Sequence, residues 1–495
     1  MLEIAKNDII SRLRFDNPWW DAGKTGKIPY EEAPRRKYFA PFSQNILDTS
    51  VRRAIVLMGP RRVGKTVMVY HSARMLLDAG IEAENILYVS LETPIYTGLP
   101  LERILSYFQE LFNHERTSRL FVFFDEIQYL REWEIHLKSL VDSFPAYRFI
   151  ATGSAAAALR LKSTESGAGR FSDYVLPPLT FAEYLMFIGR ENELIISEMQ
   201  ESKQYRYLPG NIEELNQEFI NYLNFGGYPE AVFSESVRLD PGQYIKSDIV
   251  DKVLLRDLPS LYGISDIQEL NRLFTTLAYN SGNEVSLEGL SRSSGVAKNT
   301  IKRYLEYLEA AFLIRRVERI DQNARRFKRA MCFKVYLTNP SMRAALFGQL
   351  EINSEAMGAM TETAIFSQWQ QSQLVELYYA RWPTGEIDIV HLDQVHQSPS
   401  WIVEVKWSDR PHSSTAELDN CIEFVRKNPG VSQPIMVTSR TIREDLFLYK
   451  GVRFEFEPAS LYAYTLGANL LQSMEAKAQR HRARQEPDRR SPGAT

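Results

Sequence analysis

The sequence predicts an α/β protein, and three observations carry that prediction. From Val51 to about residue 188, apolar runs at 54–58, 86–91, 120–124 and 148–151 alternate with amphipathic segments, the rhythm of a mostly parallel sheet covered by helices. The first run leads into a glycine-rich, lysine-bearing loop that opens a helical pattern. A second alternation, GEIDIV followed by SWIVEVKW, marks another α/β region toward the C-terminus.

The loop reads Gly59-Pro60-Arg61-Arg62-Val63-Gly64-Lys65-Thr66, the G-x-x-x-x-G-K-[ST] spacing of a phosphate cradle. Gly59 and Gly64 let backbone N–H groups turn toward a phosphate, and the following helix aims its positive end at the same place. Lys65 is placed to reach the β- and γ-phosphates, and Thr66 to offer its hydroxyl to Mg²⁺. ATP and Mg²⁺ are the expected ligands.

At 495 residues the chain has room for about three domains of roughly 150 residues. Its 44% hydrophobic and 24% charged content is that of an ordinary globular protein. A net charge of −3 excludes a general polycation, so any nucleic-acid site must be a local patch. Cys332 and Cys421 have no metal-ligand neighbours and read as reduced thiols of a cytosolic protein. The opening MLEIAKNDIISRLRF lacks the unbroken apolar core of a signal peptide. No uncharged apolar run approaches the ~18 residues of a membrane span, so a cytoplasmic location is expected.

Residues 1–50 form an aromatic-rich segment with Trp19, Trp20, Tyr30, Tyr38, Phe39 and Phe42. It is expected to pack on the next domain; lining an adenine pocket is the sharper alternative. The third apolar run ends in Asp125-Glu126. There Asp125 is expected to hold Mg²⁺ through water and Glu126 to act as general base. The fourth ends in Ala151-Thr152-Gly153-Ser154, with Thr152 expected to orient water. Arg170 closes the loop STESGAGR. It is the candidate to neutralise charge on the γ-phosphoryl group, in cis or from a neighbouring subunit of a homo-oligomer; a mobile surface loop and nothing more is the equal alternative.

GPRRVGKT, FFDEIQYL with Trp133 after it, ATGS, GAGR and PPLTFAEYL (residues 177–185) together resemble the AAA+-related bacterial and archaeal ATPases with a C-terminal domain of unknown function. FGGYPEAV (225–232), LLRDLPSLYGI (254–264) and GEIDIV followed by VEVK fit the same family. The resemblance implies an ATPase core, a winged helix and a nuclease-like domain. It sets expected boundaries at 51–188 for the core, 189–262 for a helical lid, 263–340 for the winged helix-turn-helix, 341–468 for the nuclease-like domain and 469–495 for a basic disordered tail.

Residues 189–262 read as helical, and Arg256 is expected to pair with Asp257 or a nearby acid; reaching the nucleotide site from the lid is the sharper alternative. Ser286 caps a short helix, Gly295 turns, and Lys298-Asn299-Thr300 opens a second helix with Ile301, Leu305 and Leu308 on its apolar face. With the apolar strand that follows, this is a winged helix-turn-helix pattern. Lys298, Asn299, Lys302 and Arg303 are then the DNA-reading face. Eight basic residues follow between Arg315 and Lys334; of these Arg325, Arg326, Lys328 and Arg329 are the candidate phosphate contacts. A solvated wing, or protein contacts, is the plainer reading.

Asp388, then Glu404 and Lys406 on one strand face, resemble the PD-(D/E)xK nucleases, and Glu362 matches their upstream helical glutamate. The proline before the aspartate is absent here. The resemblance implies that Glu362, Asp388 and Glu404 bind a second Mg²⁺ or Mn²⁺ and that Lys406 helps activate water. The same fold also serves as a binding platform. The whole reads as a Mg²⁺-dependent ATPase that binds and remodels or processes DNA. The alternative is an ATP-driven signalling or assembly switch whose C-terminal domains bind a protein.

Overall fold

The computed structural model describes residues 5–21, 27–153, 169–200, 205–326, 332–370 and 375–485. The chain divides into two compact units, residues 1–177 with 471–495, and residues 178–470.

The first unit is built on β1 (Ala54–Met58), β2 (Ile86–Ser90), β3 (Phe121–Asp125), β4 (Arg148–Gly153) and β5 (Phe171–Val175), in the order β2-β3-β4-β1-β5 with every pairing parallel. The continuous apolar runs follow from this placement, because a strand inside a helix-covered parallel sheet is buried on both faces. The aromatic N-terminal segment packs on β2. The Asn17 amide donates to Tyr88 O at 2.9 Å and accepts from Tyr88 N at 2.6 Å. Both Trp19 and Trp20 donate their indole N–H to Ile86 O.

The second unit departs from the expected layout in two ways. The region expected to be a purely helical lid contains an antiparallel hairpin, β6 (Ile195–Met199) with β7 (Tyr205–Pro209), where β-branched and aromatic residues favour strand. The expected boundary at 340 falls inside one nine-stranded sheet. Its members are β8 (Glu284–Ser286), β9 (Ile314–Ile320), β10 (Cys332–Leu337), β11 (Leu377–Trp382), β12 (Gly385–Leu392), β13 (Pro399–Glu404), β14 (Ile435–Ser439), β15 (Glu444–Tyr449) and β16 (Val452–Pro458). The order is β15-β16-β14-β13-β12-β11-β9-β10-β8. The joint is the parallel pairing of Tyr379 with Arg319 and Ala380 with Ile320.

The expected tail is corrected over its described part: a helix runs Ala459–Gln485, and residues 486–495 lie outside the described residues. The tail's Ala, Leu, Met, Gln, Lys and Arg are strong helix formers, and extending a helix that already exists avoids the cost of nucleation. Among the described residues no helix is long and apolar enough to cross a membrane. Cys332 and Cys421 are both unpaired.

Candidate functional site

The phosphate loop joins the end of β1 to the helix Lys65–Asp78. A Cβ on Gly59 would lie 2.1 Å from the Leu176 carbonyl oxygen, so the backbone passes there only as glycine. Gly64 caps the helix at φ 95°, and Arg62 also takes a left-handed turn at φ 63°. Along the loop Arg62 is exposed, Arg61 is half-buried, and Pro60 and Val63 are buried. Lys65 is 5% exposed; its ammonium donates back to Gly59 O at 3.0 Å and Pro60 O at 2.7 Å, holding it across the loop. Arg36, 27 residues upstream, clamps the loop by donating to Val63 O at 2.9 Å and Pro177 O at 3.0 Å. No short-range pattern marks Arg36, because its partners are brought in by the fold.

Facing the loop, Asp125 ends β3 at 2% exposure. Three hydroxyls hold it: Thr66 at 2.8 Å, Tyr88 at 2.9 Å, and Thr152. Burial, then the neighbouring Glu126 charge, pushes the Asp125 carboxyl above its ordinary range, while the hydroxyls pull it back. Burial and Asp125 also push the Tyr88 hydroxyl up, so it stays a donor. β4 lies between β3 and β1, and so Thr152 sits between loop and acid. There it accepts from Glu126 N at 3.0 Å. Thr152 thus ties the Asp125 carboxylate to the Glu126 backbone; the sequence suggested that it orients water. Glu126 turns at φ 53°, a strained conformation for a non-glycine residue, and its carboxylate accepts from the Gln128 amide. Tyr88 is a member of this site that sequence reading missed. The hard oxygens of Thr66 and Asp125 fit Mg²⁺ chemically, with Asp125 buried and held by neutral donors.

Arg170 is placed elsewhere. Its carbonyl accepts from Ala54 N at the start of β1, four residues or roughly 13 Å along the strand from the loop. Its guanidinium pairs with Asp142 at 2.5 Å. A cis role at the γ-phosphate is therefore corrected. Ser154 and most of the STESGAGR loop lie outside the described residues.

In the second unit, Glu362 lies on the helix Met357–Gln370, Asp388 on β12, and Glu404 at the end of β13. The three carboxylates lie near one another, Glu362 and Asp388 at the edge of a cleft, and two lysines bridge them. Lys334 of β10, 2% exposed, stands 2.8 Å from Glu362, 2.7 Å from Glu386 and 3.6 Å from Asp388. Lys406 lies 2.6 Å from Glu404 and 3.5 Å from Asp388.

Burial, aided by Asp388, pushes both Glu362 and Glu404 up to about 7. Burial also works against the Asp388 charge, but Lys406 and Lys334 outweigh it and hold Asp388 below its ordinary value. Among the described residues no group of three or more His, Cys, Asp or Glu side chains is arranged to hold a metal ion. Two ammoniums bridge the acids, and Lys406 stands beside Asp388 and Glu404, the neighbours the sequence pattern gave it. Lys334, read from sequence as part of a basic patch, is a buried counter-ion. A cleft of about 530 Å³ opens beside the cluster, lined by Glu362, Asp388, Lys406 and Arg440 among others.

The helix Leu287–Ser294, the turn at Gly295 and the helix Lys298–Ala310 stand as expected, with Ser286 capping the first through Gly289 N at 3.0 Å. Asn299, Lys302 and Arg303 are exposed; Lys298 pairs with Glu288 at 2.7 Å. The basic run is less available than its composition suggests. Arg316 pairs with Glu309, Arg319 donates to Arg381 O, and Arg326 lies 3.6 Å from Glu376. Arg325 is exposed; Lys328 and Arg329 lie outside the described residues.

The fold and site define a P-loop ATPase-type domain, and sequence comparison agrees: residues 51–185 match the family described as AAA domain. Residues 216–354 match a Domain of unknown function (DUF8612). An uncharacterized protein of Haemophilus influenzae is 24% identical over 74% of this chain and 86% of its own length. The uncharacterized protein MJ1637 of Methanocaldococcus jannaschii is 26% identical over 54% of this chain and 57% of its own length. Among solved structures, C. elegans PCH-2 aligns at a TM-score of 0.27 and 18% identity over 43% of this chain and 60% of that one. The replication initiator DnaA bound to AMPPCP and single-stranded DNA aligns at 0.27 and 14%, over 55% and 86%. Scores this low do not define a shared fold.

Proposed function

We propose that this chain is a Mg²⁺-dependent ATP hydrolase whose second unit engages DNA. The observation that supports hydrolysis most directly is Asp125, buried opposite Lys65 and Thr66 and held only by hydroxyls. Mg²⁺, when bound, neutralises charge between the β- and γ-phosphates. The loop N–H groups and Lys65 would bind phosphate oxygens, Thr66 and Asp125 would hold the ion, Thr152 and Gln128 bond the Glu126 backbone and carboxylate, and Glu126 would accept the proton of the attacking water. For Arg170 to act at a phosphate it must come from a neighbouring copy, which ties that role to a homo-oligomer.

DNA contact is supported by the exposed Asn299, Lys302 and Arg303 at the start of the helix Lys298–Ala310, with the β9–β10 hairpin as the wing of a winged helix. The strands β11 to β14 with the helix Met357–Gln370 support a nuclease-like fold used as a platform. The lysine-bridged acids count against metal-dependent cleavage. The ion-paired basic run favours the second reading, a switch whose second unit binds protein.

The test is ATP turnover with and without a panel of duplex, single-stranded and branched DNA. Wild type should turn over faster with DNA. Glu126→Gln should bind ATP yet lose roughly 10²–10⁴ in rate. Undiminished turnover in Glu126→Gln removes it as base, and turnover indifferent to every DNA favours the switch.

A further inference from the structure

The first unit carries a second charged concavity that the ATP site does not use. Arg52 and Arg53 precede β1, Arg119 lies just before β3, and Arg148 opens β4. These are the strand starts, whereas the phosphate loop follows the end of β1. The four arginines line one cavity of about 330 Å³, together with Phe144 and Tyr147.

Arg148 is 8% exposed, and its guanidinium donates to backbone carbonyls alone, those of Val51, Arg53 and Asn45. Its Nε is buried with no partner. Burial works against its charge, and the nearby carboxylate that supports it is Asp48. Arg52, Arg53 and Arg119 are exposed, and among the described residues none of the four forms an ion pair with a carboxylate. Arg170 reaches the same edge through its bond to Ala54, but its charge is spent on Asp142.

Arg119 also lies over the Phe121 ring at 5.6 Å. Like charges gathered in one concavity repel one another, and an anion relieves that repulsion. Guanidinium forks match phosphate oxygens in pairs. Phe144 and Tyr147 stack on each other at 4.8 Å and 22°, adding a flat aromatic element to the wall. The cavity lies at the lower end of small-ligand pocket volumes, enough for one nucleotide but not for a duplex. Aromatic walls with a cationic rim are the chemistry of unpaired-strand binding.

We propose that this cleft binds the phosphate and base of a single nucleotide unit, with Arg52, Arg53 and Arg119 on the phosphate, at a site separate from the ATP site. The unit has two sources, an unpaired nucleic-acid strand or a free nucleotide. The inference goes beyond the DNA reading of the second unit and does not depend on Lys302 or Arg303.

The experiment uses the full chain and the triple variant Arg52→Ala/Arg53→Ala/Arg119→Ala, whose changes are at exposed side chains. With the phosphate loop saturated by a non-hydrolysable ATP analogue, anisotropy of a fluorescent unpaired oligonucleotide is followed across a salt series. The variant should bind roughly tenfold more weakly, with a log–log salt slope lower by about 0.7 for each phosphate that is no longer neutralised. Basal ATP turnover should be unchanged. Equilibrium dialysis with ADP separates the sources: a second bound equivalent in wild type, absent from the variant, assigns the cleft to free nucleotide. Weaker oligonucleotide binding at unchanged ADP stoichiometry assigns it to a strand. If oligonucleotide affinity, salt slope and ADP stoichiometry all match wild type, the proposal is overturned. If Lys302→Ala/Arg303→Ala then abolishes oligonucleotide binding while the triple variant retains it, the DNA reading of the second unit survives without this cleft. Equal displacement of the oligonucleotide by poly-glutamate would overturn the nucleotide assignment in favour of a general anion site.

Discussion

The two acidic clusters of this chain look alike in sequence and differ in their neighbours. Asp125 ends a buried strand and is held by the hydroxyls of Thr66, Tyr88 and Thr152. Asp388 lies in a buried strand and is flanked by the ammoniums of Lys334 and Lys406. Hydroxyls satisfy a carboxylate's lone pairs and leave its charge available to an arriving cation. Ammoniums satisfy both. The directions of the shifts agree, for burial leaves Asp125 above its ordinary value while the lysines bring Asp388 below. A strand-end acid is therefore poised for a metal according to what donates to it.

The largest expected effect that would break this comparison is at Lys334. Lys334→Met removes the buried cation shared by Glu362, Glu386 and Asp388. It should cost about 3–5 kcal/mol of stability in urea unfolding, the penalty of stranding buried charge. Lys302→Met, on the solvent face, should change stability by less than about 0.5 kcal/mol. A loss at Lys334 no larger than at Lys302 would mean that the acids are solvated and the internal cation is dispensable.

Next in size is ligand stabilisation. An ATP analogue with Mg²⁺ at about 100 times its dissociation constant should stabilise the chain by about 2.7 kcal/mol, and Asp125→Asn should lose most of that. Mg²⁺ or Mn²⁺ without nucleotide should leave thermal unfolding unchanged. A Mn²⁺-induced rise in the melting temperature that disappears in Asp388→Ala would place a metal site in the second unit.

The smallest effect sharpens the comparison from the other side. Tyr88→Phe deletes one of the three hydroxyls on Asp125, worth about 1 kcal/mol. The Mg²⁺ concentration for half-maximal ATP turnover should rise about fivefold, with Thr66 and Thr152 still in place. An unchanged Mg²⁺ dependence would show that Tyr88 packs against the acid without tuning it.

Local spacing determined the phosphate loop, the acidic pair after β3, the parallel-sheet rhythm and the two helices around Gly295. These rest on residues near one another in the chain, and periodicity or turn chemistry exposes them directly. Contacts between distant segments were decided by the tertiary structure. Arg36 reaches Val63 and Pro177 from outside the motif, and Tyr88 reaches Asp125 across two paired strands. Strand register moves Arg170 to the edge opposite the loop, because Ala54 pairs with Phe171 while Met58 pairs with Val175. Lys334 reads as one more base in a basic run until the nine-stranded sheet carries it beside Glu362 and Asp388. Sequence names which residues can carry charge; which charges meet is set by strand order and register, and these depend on pairings between residues far apart in the chain.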